Sequence, residues 1–195
     1  MTDNLQKVLA YLRKNLLSIF LFSLFLFVFF NSDARSFVSR QLLKTGLFAP
    51  EIAVEKNNVI STADILFSDA NGEIFSLKSL EGKVVFINFW ATWCPPCIAE
   101  MPSIQTLYNE IGKQNIVFLM VDVDHQQKKS QKFMDKKGYT LPVYTPASVI
   151  PSNILDGSIP TTLILDKQGR KVLLHSGMGN YADKDLVAYL KQLSK

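Results

Sequence analysis

Two sulfur atoms carry most of the chemistry available to this chain. Cys94 and Cys97 are the only cysteines in 195 residues, and two prolines separate them. A loop that short constrains an unfolded chain very little, so the pair is a poor structural staple and reads as reactive. The run before them, Val84-Val85-Phe86-Ile87-Asn88-Phe89-Trp90, is β-branched, aromatic and nearly uninterrupted, the pattern of a buried strand. After them, Ile98, Met101, Ile104, Leu107 and Tyr108 recur at helical spacing. The thiols therefore lie at a strand-to-helix junction, with Cys94 at the helix start. The first backbone N–H groups and the helix dipole favour a thiolate there. Pro95 suits the first turn, where a missing N–H is harmless. Pro95 and Pro96 together remove two donors, leaving the N–H of Cys97 as the nearest one to the Cys94 sulfur. Cys94 is expected to be the exposed, attacking thiol, and Cys97, one turn in, the more buried resolving thiol. A zinc pair and two inert cysteines are the competing readings. Zinc needs about four ligands, and only His125 and His175, on separate elements, could add imidazoles.

The surrounding segments supply a frame. Residues 63–67 and 73–77 around Asn71-Gly72 predict a β-hairpin. The strand 84–90 leads into a helix over 95–110. A second buried strand follows at 116–123, then a polar helix over 126–137 ended by Gly138. Its lysines (Lys128, Lys129, Lys132, Lys136 and Lys137) read as a solvated face. A short extended piece covers 141–144 and one helical turn 150–155. Residues 162–166 and 171–176 make a hairpin, and 183–194 a closing amphipathic helix with Asp183 and Asp185 at its start. Strand–helix–strand–helix–hairpin–helix is the order of an α/β three-layer domain.

At this point the sequence resembles a known family. The strand–Trp93-Cys94-Pro95-Pro96-Cys97–helix unit resembles the active site of thioredoxin-like oxidoreductases. The longer pattern from Leu80 to Cys94 resembles their membrane-anchored TlpA/ResA-like branch. Ile159-Pro160-Thr161, ahead of Thr162-Leu163-Ile164-Leu165, matches the family's cis-proline loop, and Pro102 its helix proline. The likeness covers roughly residues 60–194. It implies a thioredoxin-like three-layer fold with a central mixed β-sheet, an added N-terminal β-hairpin and an N-terminal transmembrane helix. It also implies a protein thiol–disulfide oxidoreductase with no cofactor beyond a redox-active Cys94–Cys97 disulfide and no metal. Trp93, next to Cys94, would shield that disulfide. Pro95, Pro96, Ile159 and Pro160 would form the client-binding surface, with Pro160 cis and facing the cysteines and the Ile159 backbone free to pair with an extended chain. Where ordinary thioredoxins carry a buried aspartate, this chain has Asn88, which cannot titrate. Glu100 matches the branch's glutamate three residues after the second cysteine, and would serve as acid and base for Cys97. The plainer alternative for Glu100 is a solvent-facing carboxylate interacting with the helix dipole. Implied partners are disulfide-containing extracytoplasmic proteins, apocytochrome c among them, and a membrane thiol-transfer donor supplying electrons in the reducing direction. Three rivals share the fold. A copper-binding module typically spaces its cysteines one residue wider and adds a histidine. A peroxidase needs a Thr-x-x-Cys site, which Thr92-Trp93-Cys94 does not match. A disulfide oxidant stays open, because Pro-Pro does not set the potential.

Composition bounds the rest. Nearly half the chain is apolar, enough for a full core, and the net charge of +4 is too small and diffuse to suggest nucleic acid. Residues 1–15 read as a cytoplasmic segment, 16–32 as a transmembrane anchor or uncleaved signal, 33–58 as a connector and 59–195 as the folded domain. Leu16 to Phe30 is fifteen residues of Leu, Phe, Ile and Val with two serines. At ~1.5 Å each that spans ~22 Å, short of a ~30 Å hydrocarbon core unless flanking residues extend it and Arg13 and Lys14 snorkel. Ser32-Asp33-Ala34 offers a signal-peptidase site as the alternative. Charge asymmetry is slight, since Arg35, Arg40 and Lys44 follow the segment, but Arg13 and Lys14 abut it and favour the N-terminus inside; the family resemblance implies the same orientation, with the domain on the periplasmic side. Phe37, Leu42, Leu43 and Leu47 are expected to form an amphipathic turn or two near the membrane.

Overall fold

The computed structural model describes residues 13–43, 65–112 and 116–195. Leu47, Pro50 and the first residues of the expected hairpin, Ala63 and Asp64, lie outside them, as does the 58/59 boundary. The apolar run forms helix α1 (Leu16–Phe30), exposed along its length. No single helix among the described residues is long and apolar enough to cross a membrane. The helix stops two residues before the expected end of the anchor, at Phe30. Asn31 takes an extended backbone, and its side-chain oxygen accepts the N–H of Ala34 (3.0 Å), starting a new helix. The chain bends by 95° there.

The new helix, α2 (Ser32–Leu43), holds Phe37, Leu42 and Leu43 of the expected amphipathic turns and is longer than they predict. Its Ser36 and Leu43 are buried, and Ser36 Oγ donates to the carbonyl of Pro95 (3.3 Å). An ion pair from Lys137 to Asp33 (3.4 Å) is exposed, so it contributes little.

The domain is a seven-stranded mixed sheet of order β2-β1-β5-β4-β3-β6-β7. β1 (Leu66–Ser68) and β2 (Ile74–Ser76) form the added hairpin, with Gly72 at φ 83° in its turn. A 3-10 turn over Leu77–Leu80, not anticipated, leads to β3 (Val84–Trp90), buried at every position. Helix α3 (Pro95–Ile111), β4 (Ile116–Asp122), helix α4 (Gln127–Lys137) and β5 (Val143–Pro146) follow. β3, β4 and β5 run parallel; β6 (Thr161–Leu165) and β7 (Lys171–Ser176) add antiparallel on the other side of β3. Helix α5 (Lys184–Ser194) closes the chain, capped by the Asp183 carboxylate on the N–H groups of Asp185 and Leu186.

The sheet is covered on both faces, but the helices lie on one of them. The crossovers β3–α3–β4 and β4–α4–β5 step the same way across the sheet. Right-handed crossovers in one direction place their helices on one face. Val84, Phe86, Trp90, Phe118 and Met120 accordingly pack against Met101 and Ile104 of α3, Met134 of α4, and Leu186 and Leu190 of α5. The alternate residues Val85, Ile87, Phe89, Leu119 and Val121 form a second core. No described α-helix covers it. Leu77 of the 3-10 turn, Phe67 of β1 and Ile154 do so, the last in a turn closed by the N–H groups of Ile154 and Leu155 on the Pro151 carbonyl.

Candidate active site

β3 delivers the chain to the edge of the helical face, where Ala91 to Trp93 turn it into α3. Cys94 is the N-cap of α3 and forms a disulfide with Cys97, their Cα atoms 5.3 Å apart. With Pro95 and Pro96 lacking N–H groups, the first free donor of the helix is Cys97 N–H, which points at the Cys94 sulfur (3.3 Å). That donor would also stabilise a Cys94 thiolate.

The expected exposure of Cys94 is not found: it is 3% exposed, and Cys97 is fully buried. The expected cis-proline loop closes over the sulfur. The Ile159–Pro160 peptide is cis, and the Ile159 carbonyl lies 3.9 Å from Cys94 Sγ. α2 meanwhile rests on Pro95. Trp93 is exposed, and its indole N–H donates to Asp124 Oδ2 (2.6 Å). Asp124 sits in a turn pinned by Asp122, whose buried carboxylate accepts from Asp124 N (3.1 Å) and Gln126 N (2.8 Å). His125 occupies that turn with φ 56°, and His175 lies on β7 with Nε2 3.4 Å from the Met178 carbonyl. Neither is brought to the sulfurs by any contact found. Among the described residues no three His, Cys, Asp or Glu side chains converge.

Glu100 faces the interior and not solvent. One turn after Cys97, it is completely buried. Asn88 Nδ2 donates to its Oε1 (2.7 Å) and the N–H of Gly179 to its Oε2 (3.0 Å). Loss of hydration pushes its pKa from the ordinary 4.5 up to about 8, against the lowering effect of the Gly179 and Asn88 donors. Behind it, Asn88 also donates to Thr162 Oγ1 (2.9 Å), which accepts the Tyr181 hydroxyl (2.6 Å). Burial, then the nearby Glu100 charge, holds Tyr181 well above the usual phenol range. Thr162, Gly179 and Tyr181 were not singled out from sequence. They lie 62 to 81 residues beyond Glu100, and nothing in their local pattern announces the meeting.

Residues 48–173 match the AhpC/TSA family. The thiol-disulfide oxidoreductase ResA of Bacillus anthracis is 31% identical over 154 residues, 78% of this chain and 86% of the relative. The chain belongs to the ResA-like thiol–disulfide oxidoreductases. ResA of Halalkalibacterium halodurans is 34% identical over 118 residues, a stretch covering 58% of this chain and 65%, just under two thirds, of that relative. Among solved structures, the thiol:disulfide interchange protein of Chlorobium tepidum superposes with TM-score 0.54 at 27% identity, covering 73% of this oxidoreductase and all of that chain. The thioredoxin-like fold with a mixed central sheet is thereby shown.

Proposed function

We propose that this oxidoreductase reduces disulfides in extracytoplasmic proteins, through a mixed disulfide at Cys94 that Cys97 resolves. The observation that carries this reading is the Cys94–Cys97 disulfide at the start of α3, with the Cys97 N–H aimed at the Cys94 sulfur. In the reduced enzyme the Cys94 thiolate attacks one sulfur of the client disulfide. A Cys94–client S–S bond forms, and the other client sulfur leaves as a thiolate. Glu100, when ionised, takes the proton of Cys97. The Cys97 thiolate then attacks Cys94, the client's second sulfur leaves, and the Cys94–Cys97 disulfide closes. Two electrons pass to the client, and a dithiol donor must return them. Trp93, Pro95, Pro96, Ile159 and Pro160 form the client-facing rim, with the backbone of Ile159 beside the sulfur. Complete burial and two hydrogen-bond donors support Glu100 as the proton acceptor over a role at the helix dipole.

The same reading places α1 in the membrane as an anchor, its ends completed by neighbouring polar residues, with the domain on the periplasmic side. A membrane thiol-transfer protein is the electron donor and apocytochrome c a client. What supports this is the all-round apolar surface of α1 and the likeness to ResA.

The test combines a potential with a trap. The full chain in detergent is equilibrated against glutathione or dithiothreitol buffers. A value near about −270 mV supports reduction, and one near about −120 mV makes the enzyme an oxidant. Cys97→Ser accumulates mixed disulfides with client proteins and Cys94→Ser does not; equal trapping by both refutes the assignment of the two sulfurs. Metal titration of the reduced chain separates a copper-binding role.

A further inference from the structure

Asn88 is bonded in a way that conflicts with its neighbour. Its Nδ2 spends both hydrogens, one on Glu100 Oε1 (2.7 Å) and one on Thr162 Oγ1 (2.9 Å). Its Oδ1 is buried and has no partner among the described residues. That orientation suits an ionised Glu100, which only accepts. Yet the site is closed to bulk solvent: Asn88, Glu100, Thr162 and Tyr181 are all essentially inaccessible, which favours the neutral acid. A neutral Glu100 has an O–H to donate, and an N–H facing it cannot receive one.

The neighbours show how this resolves. Tyr181 donates to Thr162 Oγ1 (2.6 Å), and a hydroxyl that accepts there still has its own hydrogen to give. Turned over, the Asn88 amide puts Oδ1 where Nδ2 now lies, within reach of both Thr162 and Glu100. The chain then runs from Tyr181 O–H to Thr162, from Thr162 O–H to Asn88 Oδ1, and from Glu100 O–H to the same oxygen. We infer that Asn88 and Thr162 are positioning residues whose hydrogen bonds reverse together, the amide turning over and the hydroxyl swinging round, as Glu100 gains or loses its proton. An aspartate at position 88 would instead compete for the proton. The amide presents an acceptor to one state of Glu100 and a donor to the other. Gly179 N–H holds the second oxygen throughout, so the carboxyl stays in place. The pKa of about 8 puts both states within reach of neutral pH.

The titratable groups around this chain are Tyr181 from the segment before α5, the reduced Cys97 one turn back on α3, and His175 on β7, paired with Thr162 in register. The experiment keeps the cysteines oxidised and uses His175→Gln as a background control. Full-length protein in detergent micelles carries 15N in its asparagine side chains and 13C in its glutamate carboxyls. The Asn88 amide resonances should move with the same midpoint as the Glu100 carboxyl. Amide-proton contacts to Thr162 should be present on the alkaline side and lost on the acid side. Glu100→Gln should show the acid-side pattern at every pH, because its side-chain N–H donates where the acid's O–H did. Thr162→Val should abolish the coupled movement and Thr162→Ser restore it. An Asn88 amide that keeps its Thr162 contact through the Glu100 titration overturns the inference. So does Glu100→Gln with the alkaline pattern. The inference rests on Glu100 as the proton acceptor for its use in turnover, but the amide signals read it separately. If Glu100→Gln leaves the resolving step unchanged while the wild-type Asn88 amide still turns with pH, only the catalytic role of Glu100 fails.

Discussion

Burial of Glu100 makes stability depend on pH in a direction opposite to that of most carboxylates, and Glu100→Gln isolates the effect. In the folded protein its pKa is about 8; unfolded, it returns to about 4.5. Between those values the folded state holds a proton that the unfolded chain has released. Stability from the neutral acid is therefore complete below pH 4.5, declines as the pH rises, and is gone above about 8. The slope is about 1.4 kcal/mol per pH unit, and over the roughly 3.5 pH units between 4.5 and 8 the ceiling is about 5 kcal/mol. The glutamine side chain of Glu100→Gln would keep the contacts without the titration, its oxygen toward Gly179 N–H and its amide nitrogen toward a reversed Asn88. The assay is urea denaturation of the oxidised full chain in detergent, at half-unit steps from about pH 5 to 9, for both proteins. Subtracting one curve from the other cancels the groups they share. The difference should favour Glu100→Gln increasingly with pH, by several kcal/mol at about pH 8.5 relative to pH 5. A difference that stays flat within about 1 kcal/mol, or one that slopes the other way, refutes a buried, largely neutral Glu100.

Three further outcomes are expected. Gly179→Ala places a Cβ 2.8 Å from Cζ and 2.9 Å from the hydroxyl of Tyr181, so the ring must shift; the variant should melt earlier and show an altered Glu100 titration by carboxyl 13C NMR. Phe86→Ala removes a ring packed at 5.0 Å on Phe118 and 5.3 Å on Tyr181, and should cost about 3–5 kcal/mol by denaturation. As an anchored protein, the full chain should stay in the membrane fraction after carbonate washing and keep its original N-terminus; soluble protein beginning at Arg35 would show a cleaved signal.

Much of the local structure was legible. The strand Val84–Trp90 and the helix start at Pro95 fall where hydrophobic pattern and proline chemistry put them, because both depend on neighbours within one turn or one strand. The donor at Cys97 follows equally directly, since two prolines leave no other at the helix start. The Asn71-Gly72 turn and the helix after Asp183 are local for the same reason. Hydrophobic period says that a face is buried but not against what. It left open that the helices would gather on one side of the sheet, which the order of the strands decides. It gave no sign that α2 would lie on Pro95. Glu100 shows the limit most sharply. Its position one turn after Cys97 marked it as a candidate, but a carboxylate near a helix start equally well faces water. Only the return of the chain at Thr162, Gly179 and Tyr181, far along the sequence, removes that water and raises its proton affinity. Residue spacing determined which groups could share a helix turn; desolvation depends on every segment packed around them, and that is a property of the tertiary fold.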